Sequence, residues 1–130
     1  FSPAYQYFSS LDISGNKLTT FSLSTFARVG SLNVSNNPNL TSLSVQTHTY
    51  TNTRINASQN PVLKSISCTN SFLTSININE CPALEVLILE QNQLTNIDLS
   101  TNVNLKTLNL RDNKFTSFEI HKLSYLLSLC

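Results

Sequence analysis

Three cysteines, two histidines and a scatter of carboxylates are the side chains of this chain with chemistry to offer. Nucleophilic catalysis needs a base within hydrogen-bond reach of the nucleophile and a group that orients the base. His48 and His121 sit far apart, and neither has a carboxylate and a nucleophile at such spacing. A zinc site wants four N or S ligands, commonly in closely spaced pairs. Cys68, Cys81 and Cys130 provide no such pair beside a histidine. With only Gly15 and Gly30 there is no glycine-rich phosphate loop. The residue types therefore point to no catalytic residue, no metal ligand and no cofactor.

The cysteine count is odd, so at least one thiol is free or pairs outside the chain. Cys68 reads as a small core thiol and Cys81 as a turn thiol, with a bond between them the lesser alternative. Cys130 falls at an outward position and is the candidate for an intermolecular disulfide. Asn33-Val34-Ser35, Asn39-Leu40-Thr41 and Asn56-Ala57-Ser58 fit the acceptor pattern for N-glycosylation, which makes Asn33, Asn39 and Asn56 candidate sites. A chain this rich in Asn, Ser and Thr also yields such triplets by chance.

The elements that must position these groups come from a repeat. Leu11-Asp12-Ile13 returns as Leu32-Asn33-Val34, Ile55-Asn56-Ala57, Ile76-Asn77-Ile78, Ile97-Asp98-Leu99 and Phe118-Glu119-Ile120, at steps of 21, 23, 21, 21 and 21 residues. A period that regular predicts a solenoid. Between these copies lies a second apolar–x–apolar series: Phe21-Ser22-Leu23, Leu43-Ser44-Val45, Ile66-Ser67-Cys68, Leu87-Ile88-Leu89 and Leu108-Asn109-Leu110, with Leu129 opening a sixth. We name the first series side A and the second side B. Alternation with period 2 predicts strands whose first and third residues face inward. Five residues after most triplets open stands an Asn, suited to a turn and to left-handed geometry. Proline follows at Pro38, Pro61 and Pro82.

Leu84-Glu85-Val86-Leu87-Ile88-Leu89-Glu90-Gln91-Asn92 and Leu105-Lys106-Thr107-Leu108-Asn109-Leu110-Arg111-Asp112-Asn113 resemble the leucine-rich-repeat signature. Two such halves nested in 21 residues are similar to a short-period subclass of that family, the IRREKO-like repeats. The resemblance covers residues 8 to 130. It implies a parallel sheet, and recognition rather than catalysis. The expectation is an all-β leucine-rich-repeat solenoid of about six coils with little or no helix, a single domain over 1–130. Residues 1–7 form a lead-in and 46–54 an irregular loop.

Charged residues make up 12% of the chain and the net charge is +1. That lacks the clustered Lys and Arg that nucleic acid requires. No apolar run is long enough to span a membrane. The chain does not open on Met and carries no signal peptide, so it reads as a processed product or a fragment.

Three surfaces are candidates for contact. The outward side A column is Asp12, Asn33, Asn56, Asn77, Asp98 and Glu119, a polar face for protein or glycan, or else a solvated wall. On side B, Val86 and Ile88 point outward together, an apolar pair that suggests a contact. At the ends, Tyr5, Tyr7, Phe8 and Leu11, and Leu123, Leu126 and Leu129, keep repeat register and lack polar caps, which a solenoid needs to stay soluble. The expectation is head-to-tail self-association into a fibre, or further repeats of a longer chain. The favoured role is a non-catalytic scaffold, extracellular or at the cell surface, carrying N-linked glycans. The alternative is a ligand-recognition or adhesion ectodomain that uses the side A face.

Overall fold

The computed structural model describes residues 6–24, 27–47, 52–116 and 128–129. Among these described residues, twelve short strands wind through about five turns of an all-β solenoid. They are β1 (Gln6–Phe8), β2 (Leu11–Asp12), β3 (Thr20–Leu23), β4 (Ala27–Val29), β5 (Ser31–Asn33), β6 (Ser42–Val45), β7 (Thr53–Asn56), β8 (Ser65–Cys68), β9 (Leu73–Asn77), β10 (Val86–Ile88), β11 (Thr107–Asn109) and β12 (Ser128–Leu129). Every pair is parallel, and there is no helix among the described residues.

Side A is a four-stranded sheet, β2-β5-β7-β9, and side B a six-stranded sheet, β3-β6-β8-β10-β11-β12. A third, two-stranded wall, β1-β4, pairs Phe8 with Val29 near the start. Equivalent triplet residues stack in register: Leu11, Leu32, Ile55 and Ile76 on side A, and Phe21, Leu43, Ile66, Leu87, Leu108 and Leu129 on side B. The inward assignment holds because a parallel stack places the same residue of each coil beside its counterpart, about 4.8 Å away. Leu32, Leu43, Ile66, Leu87 and Leu108 are buried, as are the preceding ladder residues Leu40, Leu63, Leu84, Leu94 and Leu105. Burying each such side chain is worth roughly 1.5–3 kcal/mol.

Asparagine closes the turns from inside. Asn37 Nδ2 donates to the Val34 carbonyl at 2.9 Å, and Asn60 Nδ2 to the Ala57 carbonyl at 2.8 Å. Asn92 and Asn113 do the same on side B, to the Leu89 and Leu110 carbonyls, both at 3.0 Å. Their Oδ1 atoms accept from N–H groups of the preceding coil, at Leu73 and Leu94 respectively. Left-handed backbone falls one residue earlier than the sequence suggests: Gly15, Asn36, Gln59, Glu80, Gln91 and Asp112 all have φ between 54° and 65°. The chain turns at that residue so that the next side chain swings inward.

Three features refine or correct the expectation. First, the polar stretch 46–54 is not loop throughout, because Thr53 and Arg54 belong to β7. Between them the register against β9 skips Thr74, so the bulge lies in β9, on the coil that follows the 23-residue one. Thr47 is buried and donates its N–H to Ser71 Oγ. Second, Cys68 and Cys81 are both buried and free, as the reading of a core thiol and a turn thiol expected, and the alternative of a bond between them falls away. Third, Ile97–Leu99 forms no strand, so side A pairing stops at β9 although side B continues. Ile97 is half-buried. No backbone hydrogen bond links Ile76–Asn79 to Asn96–Leu99 among the described residues. Opposite, Leu89 N–H still donates to the Asn109 carbonyl at 2.8 Å. The wall is thus slightly parted on one side only. At the same joint Asn102 Oδ1 is buried without a hydrogen-bond partner, whereas the equivalent oxygen of Asn60 accepts from Asn37 N–H at 2.9 Å.

Candidate recognition surface

The side A column is a real alignment. Asp12 pairs with Asn33, Asn33 with Asn56 and Asn56 with Asn77 across successive coils. Each side chain turns back on its own chain. Asp12 Oδ1 accepts from Ser14 N–H at 2.9 Å, Asn33 Oδ1 from Ser35 N–H at 3.2 Å and Ser35 Oγ at 2.8 Å. Asn56 accepts from Ser58 in the same way, Asn77 from Asn79 N–H, and Asp98 from Ser100 N–H at 2.9 Å. These are Asx turns, in which a short oxygen stands in for a backbone acceptor. The Ser14 hydroxyl and N–H hold the Asp12 carboxyl below its ordinary value, with Asn33 adding to this, and Ser100 does the same for Asp98. Much of the column's polarity is spent locally, which explains why Asx or small amide residues recur there. Glu119 lies outside the described residues.

Two shallow depressions run along this face. One, about 290 Å³, is lined by Ser31, Arg54, Asn56, Ser75 and Asn77, and the other, about 190 Å³, by Asn77, Asn79, Asn96 and Asp98. The smaller one lies at the parted joint. Arg54 is exposed and brings the positive charge to this surface.

The sequons separate by environment. Asn39 is exposed at a turn, while Asn33 and Asn56 are half-buried within their Asx turns. On side B, Val86 and Ile88 do face outward, but both are half-buried, not exposed. Neighbouring strands flank them, Val86 between Ser65 and Thr107, Ile88 between Ser67 and Asn109. Among the described residues the exposed large apolar side chains are instead Tyr7, Phe8, Val62 and Val103. Tyr7 and Phe8 were expected at an end. Val62 and Val103 were missed, since an apolar residue beside a turn leaves no mark on the strand pattern. Leu11 is half-buried. Leu129 belongs to β12, and Tyr5, Leu123, Leu126 and Cys130 lie outside the described residues. A third depression, about 760 Å³, follows the turn edge between Asn36, Gln59, Glu80 and Thr101 on one bank and Pro38, Pro61 and Pro82 on the other.

Among the described residues no cluster of His, Cys, Asp and Glu could hold a metal ion, and no helix is long and apolar enough to cross a membrane. Burial pushes the Cys68 thiol up to about 12, and raises Cys81 against a smaller opposing effect of the Asn60 N–H. Neither thiol is suited to nucleophilic work.

The leucine-rich-repeat family model matches residues 8–29 and 104–126. No curated protein and no solved structure matches the chain. The stacked parallel coils and these two matched segments fit a leucine-rich repeat protein. Such repeats are generally non-enzymatic and serve as protein-binding scaffolds.

Proposed function

We propose that this chain is a non-catalytic extracellular scaffold, one stretch of a longer solenoid wall. The wall is extended by further repeats or by copies stacking head to tail, and it is glycosylated. The observation that carries this reading is the register of β12. It adds to β11 through Thr107–Ser128 and Leu108–Leu129, in the same phase as β11 adds to β10 through Val86–Thr107 and Leu87–Leu108. A sheet that keeps phase in this way can accept another coil, and an open heterologous contact propagates as a filament. Light scattering across a dilution series, with negative-stain microscopy, tests the stacking form. Elongated species that shorten on dilution support it, and a compact monomer at every concentration removes it. For the glycans, Asn39 is the favoured site because its side chain is exposed. Intact mass before and after glycosidase, on protein from a secretory host, checks this.

The second reading is recognition on side A, favoured by the two depressions that meet at Asn77 and by exposed Arg54. Amide exchange with and without a trial ligand separates the readings, because a receptor protects the side A column and a wall does not.

A further inference from the structure

We propose that the groove along the turn edge is a docking site for a short proline-rich peptide in the polyproline II conformation, carrying a basic residue. The groove is built by the repeat. One bank stacks Asn36, Gln59, Glu80 and Thr101, and the other stacks Pro38, Pro61 and Pro82, with exposed Val103 taking the same place in the next coil. Exposed Val62 lies beside Pro61 on the same edge.

The period selects the occupant. Coils repeat about every 4.8 Å, so two coils span roughly 9.6 Å. A polyproline II helix has three residues per turn and rises about 3.1 Å per residue, so one face returns about every 9.3 Å. An extended strand returns to the same face about every 6.7 Å and drifts out of step with the coils. Strand addition is also opposed by the bank itself, since Pro38, Pro61 and Pro82 have no N–H to donate. They present ring faces instead. A polyproline II backbone makes no internal hydrogen bonds, so its carbonyls need outside donors. The side-chain amides of Asn36 and Gln59 are donors of that kind.

The charge selects a basic residue. The Glu80 side chain is exposed and makes no hydrogen bond or salt bridge among the described residues. It is the one charged residue lining the groove. From Asn36 to Thr101 the groove crosses four coils, about 14 Å, room for roughly five residues of the peptide.

The test uses the full chain, isotope-labelled, titrated with a proline-rich peptide bearing one central arginine, followed by amide shift mapping. Shifts grouped at Gln59, Glu80, Thr101 and Val103 are expected. Glu80→Gln should weaken the peptide about two- to five-fold, the range of an exposed ion pair. It should leave the fold intact, because Gln59 and Gln91 adopt the same φ of 57°. Val103→Ser should weaken binding as well, with an unchanged circular dichroism spectrum. Absence of shifts at millimolar peptide, shifts confined to side A, or unaltered affinity in both variants overturns the proposal. So does a response to a glucose oligomer with none to the peptide.

Discussion

The backbone N–H of Asn37 donates to the side-chain oxygen of Asn60, one coil on, at 2.9 Å. Through Nδ2 the same Asn60 side chain holds the carbonyls of Ala57 and Val34. One amide therefore closes its own turn and clamps the coil before it. Asn60→Ala should leave the buried Asn37 N–H unpaired, at about 1–3 kcal/mol, and take one of two donors from the Val34 and Ala57 carbonyls, at about 0.5–1.5 kcal/mol each. Chemical denaturation should show a loss of at least about 2 kcal/mol. A smaller loss would mean the spine is ornamental.

Cys81 takes the place of asparagine in that spine. Its thiol reaches the Ala57 carbonyl at 3.1 Å, yet the next joint is the one that parts on side A. Cys81→Asn should restore a two-headed amide and raise stability by about 1 kcal/mol, the worth of an ordinary net hydrogen bond. Hydrogen exchange at Ile78 should be faster than at Leu89 in the parent and should stay so in the variant, because the amide at this position reaches back to the preceding coil. Equal protection at Ile78 and Leu89 in the parent would contradict the parted wall.

Leu87 is fully buried in the side B sheet, whereas Ile97 is half-buried at the parted joint. Leu87→Ala should cost about 2–5 kcal/mol, the usual range for a packed core position. Ile97→Ala should cost clearly less. If the order of the two melting temperatures is reversed, the burial asymmetry between the sides is wrong.

Two pH limbs are expected, of opposite sign. Asp12, Asp98 and Glu85 have lowered pKa values in the fold, Glu85 through its hydrogen bond and charge attraction to Lys106 at 2.9 Å. Their contribution is present above the ordinary values of 3.8 and 4.5 and is lost as pH falls through the lower folded values. All three are solvent-exposed, so this acid limb should be shallow. Cys68 and Cys81 are raised, so their contribution is complete below 9.0 and is lost as pH rises, toward about 12 for Cys68. Melting temperature against pH should fall on both sides of a neutral plateau. Replacing both cysteines with alanine should flatten the alkaline side alone. Both thiols should also resist iodoacetamide at pH 8 until the chain is unfolded.

Much of the architecture was legible because a coil is a local unit. Leu32, Ile55 and Ile76 share a phrase, and parallel stacking converts shared phrasing into shared burial. The missing strand at Ile97–Leu99 was not legible, since those residues fit the pattern as well as Ile76–Ile78 does. Pairing depends on the neighbouring coil, and at that joint Asn102 Oδ1 finds no donor where Asn60 Oδ1 takes the Asn37 N–H. The left-handed residue was misplaced by one because an inward Asn and a left-handed Asn are the same letter, as Asn36 and Asn37 illustrate. From Asp12 to Asp98 the side A column was read correctly as outward, but its Asx turns depend on serine or asparagine two residues on, a partner that strand periodicity ignores. The turn-edge groove escaped notice because its banks sit at positions that the repeat phrase leaves free.

The coil from Leu32 to Ile55 is two residues longer than its neighbours, yet both long sheets keep their alignment on either side of the excess. Growth at that corner is thereby uncoupled from the rest of the molecule. Lengthening the chain between Val45 and Thr53 should be the gentlest way to graft a foreign segment onto it, because neither row of stacked aliphatics would have to be re-indexed.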